Sequence, residues 1–379
     1  MTRLDRYLLG NFLRIFLISL ISLTGMFVVI HLFTNLDELM EMVTADRSLM
    51  KVAIDFYGPR SLDFFDRTVA VLLLMSGIFS LALMQRRQEM TAIEAAGIPK
   101  LRLLRPIVFA SIVLIAISVV NREMVIPGFR ESLISTAQNW REAPEDLPPN
   151  FHKDHALGLL ISVADVSKEK GTMLKPVVQL PIHLSRRVSR ISGLTATWLA
   201  GNANRPAGLL INKVTDFEKL QNESDLSVGT RKTIYFAATN KWLQPHQVYV
   251  ATTLNLEELA YGRQMTDYTS LPDMIATLRR PSQWYSQNFR IAVHSRIVRP
   301  LLDLSLLLVA LPIVLTQSSR NLFLASMTCV GIMGLFSLTV LGSQMLGSLS
   351  LVRPPALSAW LPVIVFLPLS VLTTRLMLK

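Results

Sequence analysis

The chain has 379 residues, of which 51% are hydrophobic and 17% charged, with a mean hydropathy of +0.40. Soluble domains carry about 25% charged residues, so this composition excludes an ordinary soluble protein. The formal charge of +11 would point to nucleic acid only on a basic, water-exposed domain. Here the basic residues share the chain with long apolar runs and read as the flanks of membrane spans. The single cysteine, Cys329, excludes an internal disulfide framework and a Cys-based zinc cluster, and its apolar surroundings predict an inert buried thiol.

In chain order, six stretches are long and apolar enough to cross a bilayer, which takes about 20 helical residues each. They are Leu13–Phe33, Arg67–Met84, Leu103–Val120, Pro300–Thr316, Leu322–Leu346 and Ala356–Met377. The first exceeds the core of a secretion signal, about 7–15 residues, and no small-residue cleavage site follows it. It reads as a retained helix. Three spans precede a large polar insertion and three follow it, so both termini lie on one side. That side carries Arg3, Arg6, Arg14, Arg86, Arg87, Lys100, Arg102, Arg105, Arg320, Arg375 and Lys379 against Asp5, Glu89 and Glu94. The opposite stretch, Thr34–Asp66, has Arg47, Lys51 and Arg60 against Asp37, Glu38, Glu41, Asp46, Asp55, Asp63 and Asp66. The positive-inside rule then predicts cytoplasmic termini and an external insertion.

The stretch Gln85–Pro99 between spans two and three is rich in helix formers from Arg86 to Ala96, and Gly97 with Pro99 supplies a stop. The spacing predicts a helix over about 86–97, with Met90 and Ile93 on one face. The residues leave two readings open, a solvated connector or an element that inserts into a partner's groove.

The insertion holds short alternating runs rich in Val, Ile, Thr and aromatics: Leu157–Val166, Pro176–Leu184, Val188–Leu199, Ala207–Phe217, Lys232–Thr239 and His246–Leu256. Turn clusters separate them, which predicts an antiparallel sandwich or open barrel. Ser270 then caps a helix leading into Met274–Arg279. His152 and His155 have helical i, i+3 spacing, but prolines surround them and no third ligand is evident, so metal binding there is not expected.

Asp303 lies just inside span four, where a lone carboxylate is costly. Arg299, four residues earlier, predicts a structural ion pair in preference to a proton relay. His31 sits near the outer end of span one. Span five carries Gly331, Gly334, Gly342, Ser343 and Gly347, small residues that permit close helix packing. No phosphate-binding G-x-x-x-x-G-K-[ST] loop, G-x-S-x-G elbow or H-E-x-x-H motif is present. Mid-membrane ionisable residues are too few for an ion relay, so transport energy would come from a partner ATPase.

With this layout established, several stretches together resemble the lipopolysaccharide export permeases of the LptF/LptG (YjgP/YjgQ) family. They are Leu4-Asp5-Arg6-Tyr7, Gln85 to Met90 running on to Ala95-Ala96-Gly97, Pro127, His294-Ser295-Arg296 with Pro300, Ala310-Leu311-Pro312, and Ala359-Trp360-Leu361-Pro362. Each piece alone is weak, but their order around this topology is specific. The resemblance implies an inner-membrane protein of six transmembrane helices (3+3) with a periplasmic antiparallel β-jellyroll inserted between helices three and four. The expected boundaries are 1–121, 122–299 with a linker helix, and 300–379.

It also implies partners: a dimeric LptB-type ABC ATPase, a second permease of the family, a single-span LptC-type protein and a periplasmic LptA-type bridge. Lipopolysaccharide would be the cargo. No cofactor is expected on this chain, since ATP and magnesium would sit on the ATPase. The R-x-E acid of the family's coupling helix falls on Glu89, with Arg86, Arg87, Met90, Ile93 and Glu94 around it. The family's lateral gates fall on spans one and five, here His31, Phe33, Gly331, Gly334, Gly342 and Ser343. One departure stands out. LptG-type members carry lysines at the outer end of span one, where this chain has the acidic Asn35-Leu36-Asp37-Glu38-Leu39-Met40-Glu41. A clamp for the lipid's phosphates would then fall to Arg122, Arg130 or a partner subunit, or the lipid differs. An LptF-like or LptG-like role stays open.

Overall fold

The computed structural model describes residues 2–41, 48–130, 132–133, 150–154, 156–167, 171–181, 189–202, 205–215, 224–228, 231–256, 258–259, 266–279, 287–316, 322–349 and 351–376. It divides into two compact units, one of Met1–Leu133 with Arg290–Lys379 and one of Ile134–Phe289. The helices in chain order are α1 (Arg3–Thr34), α2 (Leu36–Glu41), α3 (Leu49–Arg86), α4 (Glu89–Ala95), α5 (Lys100–Val120), α6 (Leu271–Leu278), α7 (Gln287–Thr316), α8 (Leu322–Ser348) and α9 (Ala356–Leu376). Among them α1, α3, α5, α7, α8 and α9 are the six long apolar helices expected of a multi-pass membrane protein.

The helices outrun the apolar stretches. Helix α3 begins at Leu49 and passes through Pro59, whereas the sequence reading starts the span at Arg67. Its added turns are amphipathic: Val52, Phe56 and Tyr57 are buried at one helical face. The acidic stretch after span one is therefore largely helical, in α2 and the first half of α3. The side chains of Asp37, Glu38 and Glu41 lie outside the described residues, as do Arg320 and Lys379.

Helix α1 starts on a capping box. The Thr2 hydroxyl accepts from the Asp5 N–H at 3.3 Å, and the Asp5 carboxylate accepts from the Thr2 N–H at 2.8 Å. The core of this unit gathers Leu8, Phe12 and Phe16 of α1, Leu72, Leu73, Ile78 and Leu81 of α3, Leu103 and Ile107 of α5, and Leu306, Leu307 and Leu311 of α7.

A buried charge network joins α3, α5 and α7. Asp66 accepts from Ser118 Oγ at 2.8 Å and from Arg299 Nη1 at 3.1 Å, and Arg299 Nη2 donates to the Asp66 carbonyl. Glu123 Oε1 accepts from Arg296 Nε at 3.0 Å and lies 3.4 Å from Arg122 Nε. The guanidiniums of Arg122 and Arg296 each donate to the other's backbone carbonyl at 3.4 Å. After α5 a π turn, Asn121–Val125, widens the backbone so that the adjacent Asn121 and Arg122 are both buried.

This network corrects the expected Arg299–Asp303 pair. Helical side chains lean toward the N-terminus, so an Arg four residues before an Asp is carried away from it, the weaker order for such a pair. Arg299 reaches Asp66 instead. Among the described residues Asp303 forms no ion pair within 4.0 Å, although its side chain is buried.

The second unit is an antiparallel β domain: β1 (Asn150–Asp154), β2 (Leu159–Val163), β3 (Asp165–Ser167), β4 (Thr172–Leu174), β5 (Val177–Gln179), β6 (Arg190–Leu199), β7 (Gly208–Val214), β8 (Leu226–Val228), β9 (Arg231–Phe236) and β10 (Gln247–Ala251). The strands follow the order β1-β2-β5-β6-β7-β10-β9-β8, with β4 pairing β3 and β6 off that path. The long β6 meets β5 over Arg190–Ser192 and β4 over Thr195–Thr197 on one edge. Gly193 sits between these registers, where a Cβ would fall 2.5 Å from Ile211 Cγ2 and 2.8 Å from the Asn212 carbonyl oxygen.

Alternation separates the two faces. Val248 and Val250 enter the main core with Leu209, Ile211, Ile161 and Ile191, while Tyr249 and Ala251 pack on the other face with Leu210, Tyr235 and Leu243. Burial pushes the Tyr249 hydroxyl up to about 12, so it stays a donor, to the Pro206 carbonyl.

The expected run Leu157–Val166 is broken at Ala164 into β2 and β3, which pair in different places. The short β1, β4 and β8 carry no alternating pattern long enough to flag. His152 lies on β1, where burial holds its imidazole below the usual range; strand geometry removes the helical spacing read for it, and His155 lies outside the described residues. Ser270 caps α6 as expected, accepting from the Asp273 N–H at 3.4 Å.

Asp154, fully buried, ties the β1–β2 turn to the end of β10. Its carboxylate accepts from the N–H groups of Ala156, Leu157 and Thr253 and from the hydroxyls of Thr252 and Thr253, at 2.7–3.2 Å. Truncation would leave five donors unpaired, at a cost of about 3–5 kcal/mol. In full-length Asp154→Ala, hydrogen exchange of β1, β2 and β10 is expected to accelerate accordingly while α3 and α7 keep their protection; unchanged strands would contradict this. Asp66→Asn removes the acid facing Arg299 and is expected to destabilise the helical unit by about 3 kcal/mol, measured by unfolding of the full chain in mixed micelles, with Arg299→Gln recovering part of the loss.

Candidate functional site

The stretch Gln85–Pro99 forms a sharp elbow. Helix α3 ends at Arg86, and Gln88 adopts a left-handed φ of 60° that separates it from α4. A non-glycine residue there is strained by about 1–2 kcal/mol. The elbow is consequently shorter than the predicted helix: its helical part is Glu89–Ala95. Gly97, at φ 73°, closes it, donating to the Glu94 carbonyl at 2.9 Å while Ile98 donates to that of Ile93 at 3.2 Å.

Contacts anchor the elbow on every side. Gln85 Nε2 donates to the Val314 carbonyl of α7 at 3.2 Å, and Lys100 meets Glu94 at 3.0 Å. Met90 is buried, and the partly buried Ile93 packs on the same core. The Tyr7 hydroxyl of α1 lies 3.0 Å from both carboxylate oxygens of Glu89, and Arg87 lies 3.9 Å from one of them. Arg86, Arg87, Gln88, Thr91, Ala92, Glu94, Ala95 and Ala96 are exposed. The result is a stiff ridge with small and charged residues outside and an apolar base.

Helix α1 makes its polar and aromatic contacts near its start and near its end, and the partly buried Leu20 and Leu23 pack on the core between them. Near its start Leu8, Phe12 and Phe16 are buried and Asn11 Nδ2 approaches Ser80 Oγ at 3.4 Å. Near its end His31 Nδ1 lies 3.1 Å from the Tyr57 hydroxyl, the Phe27 and Phe64 rings stack at 4.8 Å, and the Arg60 guanidinium lies 3.7 Å from the Phe56 ring centre. Between these, Leu17, Ile18, Ile21 and Met26 are exposed, and Phe33 is 74% exposed.

Helix α8 has a similar open face in Val330, Leu335, Leu338, Leu341 and Met345. A Cβ on Gly331, Gly334 or Gly342 would meet nothing within 4 Å, so among the described residues nothing packs against these glycines. Gly347 does, because a Cβ there would strike Ser358 of α9. Ser343 is buried and donates to the Val340 carbonyl at 2.8 Å.

The expected site residues therefore fall into separate groups. The elbow residues come together around Glu89, and His31 joins the aromatic cluster. Arg122 is committed to the buried network, Arg130 is half-buried beyond the 3-10 turn Ile126–Phe129, and Arg299 and Asp303 do not pair. Sequence reasoning gave Tyr7 no role at the site, although the residue stands in the Leu4-Asp5-Arg6-Tyr7 motif.

No curated protein matches the chain. The family of lipopolysaccharide export system permeases, LptF/LptG, matches residues 6–376, nearly the whole length. Six apolar helices around an inserted antiparallel β domain, with an elbow after the second long helix, agree with that match, and the chain belongs to the LptF/LptG lipopolysaccharide export permease family.

Proposed function

We propose that this chain is one permease half of an ABC-type exporter, seated on a dimeric LptB-type ATPase beside a second permease of the same family. It draws lipopolysaccharide, or a related glycolipid, from the outer leaflet of the bacterial inner membrane and passes it over the β domain to periplasmic LptC- and LptA-type proteins. The observation that carries this reading is the elbow: an exposed ridge on a buried Met90, with Glu89 bonded to α1. ATP binding and hydrolysis belong to the partner, since the sequence has no phosphate-binding loop.

The charge count supports the orientation. The termini and elbow face the cytoplasm, with eleven basic residues against three acids on that side. The elbow then meets a cytoplasmic ATPase, and the β domain is periplasmic. Closure of the ATPase displaces the elbow, α1 shifts against α3, and the open apolar faces of α1 and α8 act as lateral gates toward the second permease. Such a cycle requires contacts that differ between two states. Glu89 supplies one, because its carboxylate, bonded to Tyr7, can also meet a cation of the ATPase. The phosphates of the lipid meet Arg122, Arg130 or cations on the second permease.

Coupling free energies between sites run about 1–3 kcal/mol. For the complex in proteoliposomes, Glu89→Ala is expected to lower lipid release per ATP by about tenfold while hydrolysis continues and the fold is intact. Wild-type release by this variant would refute the coupling role. Failure of an ABC ATPase to co-purify with the wild-type chain would favour a non-transporting envelope scaffold.

A further inference from the structure

We infer that Tyr7 is the positioning residue through which the elbow moves α1; this rests on the permease reading given above. Glu89 and Tyr7 are 82 residues apart in sequence, yet the phenol hydroxyl lies 3.0 Å from both oxygens of the carboxylate. Among the described residues this is the one side-chain hydrogen bond between α4 and α1. It is charge-assisted, its one hydroxyl hydrogen shared between the two carboxylate oxygens.

The surroundings make that bond a lever point. Tyr7 stands five residues into α1, beyond the capped first turn, so a displacement of its hydroxyl is carried by an already rigid helix. The next polar contact along the same face, Asn11 with Ser80 at 3.4 Å, is long and weak. The far anchor, His31 on Tyr57, is 24 residues on, about 36 Å at 1.5 Å per residue. In the middle of α1 Leu17, Ile18, Ile21 and Met26 are exposed, so that stretch rests on the core through the partly buried Leu20 and Leu23. On the elbow side, Met90 and Ile93 seat α4 on the core, and Gln88 stores strain where α4 would swing. Arg87, exposed on the ridge, lies 3.9 Å from Glu89, so a partner group that draws the carboxylate outward pulls on the Tyr7 hydroxyl, and α1 follows.

The role is mechanical and belongs to the hydroxyl. Phenylalanine at this position keeps the ring and its packing, and Tyr7 is 44% exposed, so stability should hardly change. The test has two arms, both on the full chain. In the first, spin labels at Arg3→Cys and Thr91→Cys in a Cys329→Ala background report the α1–α4 distance in lipid nanodiscs. A narrow distribution is expected for the parent and a broadened one for Tyr7→Phe. In the second, the chain with its co-purified ATPase is reconstituted with lipopolysaccharide. Tyr7→Phe should keep the thermal midpoint within about 2 °C, sustain ATP hydrolysis and cut lipid released per ATP about tenfold. Glu89→Gln should behave alike, and the double variant no worse than either single one. An unchanged distance distribution in Tyr7→Phe, an unchanged coupling ratio, or single effects that multiply in the double variant would each overturn the inference. If no ATPase associates with the parent, the permease reading fails and the spin-label arm alone decides the Tyr7–Glu89 link.

Discussion

Inside a bilayer no hydrophobic force draws one helix to another, because lipid tails are as apolar as leucine. The helical unit therefore depends on close packing around α3 and on a few polar bonds, and their placement decides what is rigid. The Asp66–Arg299 and Glu123–Arg296 pairs lock α3, α5 and α7 together through groups too costly to leave unpaired. Helix α1 packs on this frame through Leu8, Phe12 and Phe16, and its polar bonds are a phenol on Glu89 and a carboxamide on Ser80 toward one end and an imidazole on Tyr57 at the other. Among the described residues no ion pair ties it to the frame, which suits the gate proposed for it.

The β domain is held by different physics. The ten strands among the described residues obtain a core from alternation along β6, β7 and β10, and a buried carboxylate, Asp154, closes the seam between the first hairpin and β10. Its outer face is also packed, with the Arg205 guanidinium about 5 Å from the rings of Tyr249 and Trp242.

Much of this was legible in sequence where a local pattern carried it. The six spans follow from apolar length, the longer β strands from alternation with turn residues, and α6 from Ser270 and Pro272. The family emerged from short motifs in a fixed order. What stayed hidden depends on partners distant in the chain or on backbone states with no residue signature. Arg299 seemed destined for Asp303 by spacing, but side-chain direction in a helix sends it to Asp66, 233 residues away. Gln88 gives no hint of its left-handed φ, which shortens the elbow. The turns of α3 before Asp66 read as an acidic loop because their apolar residues line one face only. The glycines of α8 suggested packing, yet among the described residues nothing packs against three of them.

The central claim is that the exposed ridge of the elbow is the seat of a cytoplasmic ATPase. Photo-crosslinking tests it most directly, with benzoylphenylalanine at Ala92 on the ridge and, for comparison, at Leu338 on the open face of α8. The account predicts that Ala92 captures an ABC ATPase, identified by mass spectrometry, and that Leu338 captures only lipid or another six-span permease. No ATPase adduct at Ala92, in membranes where the chain exports lipid, would contradict it.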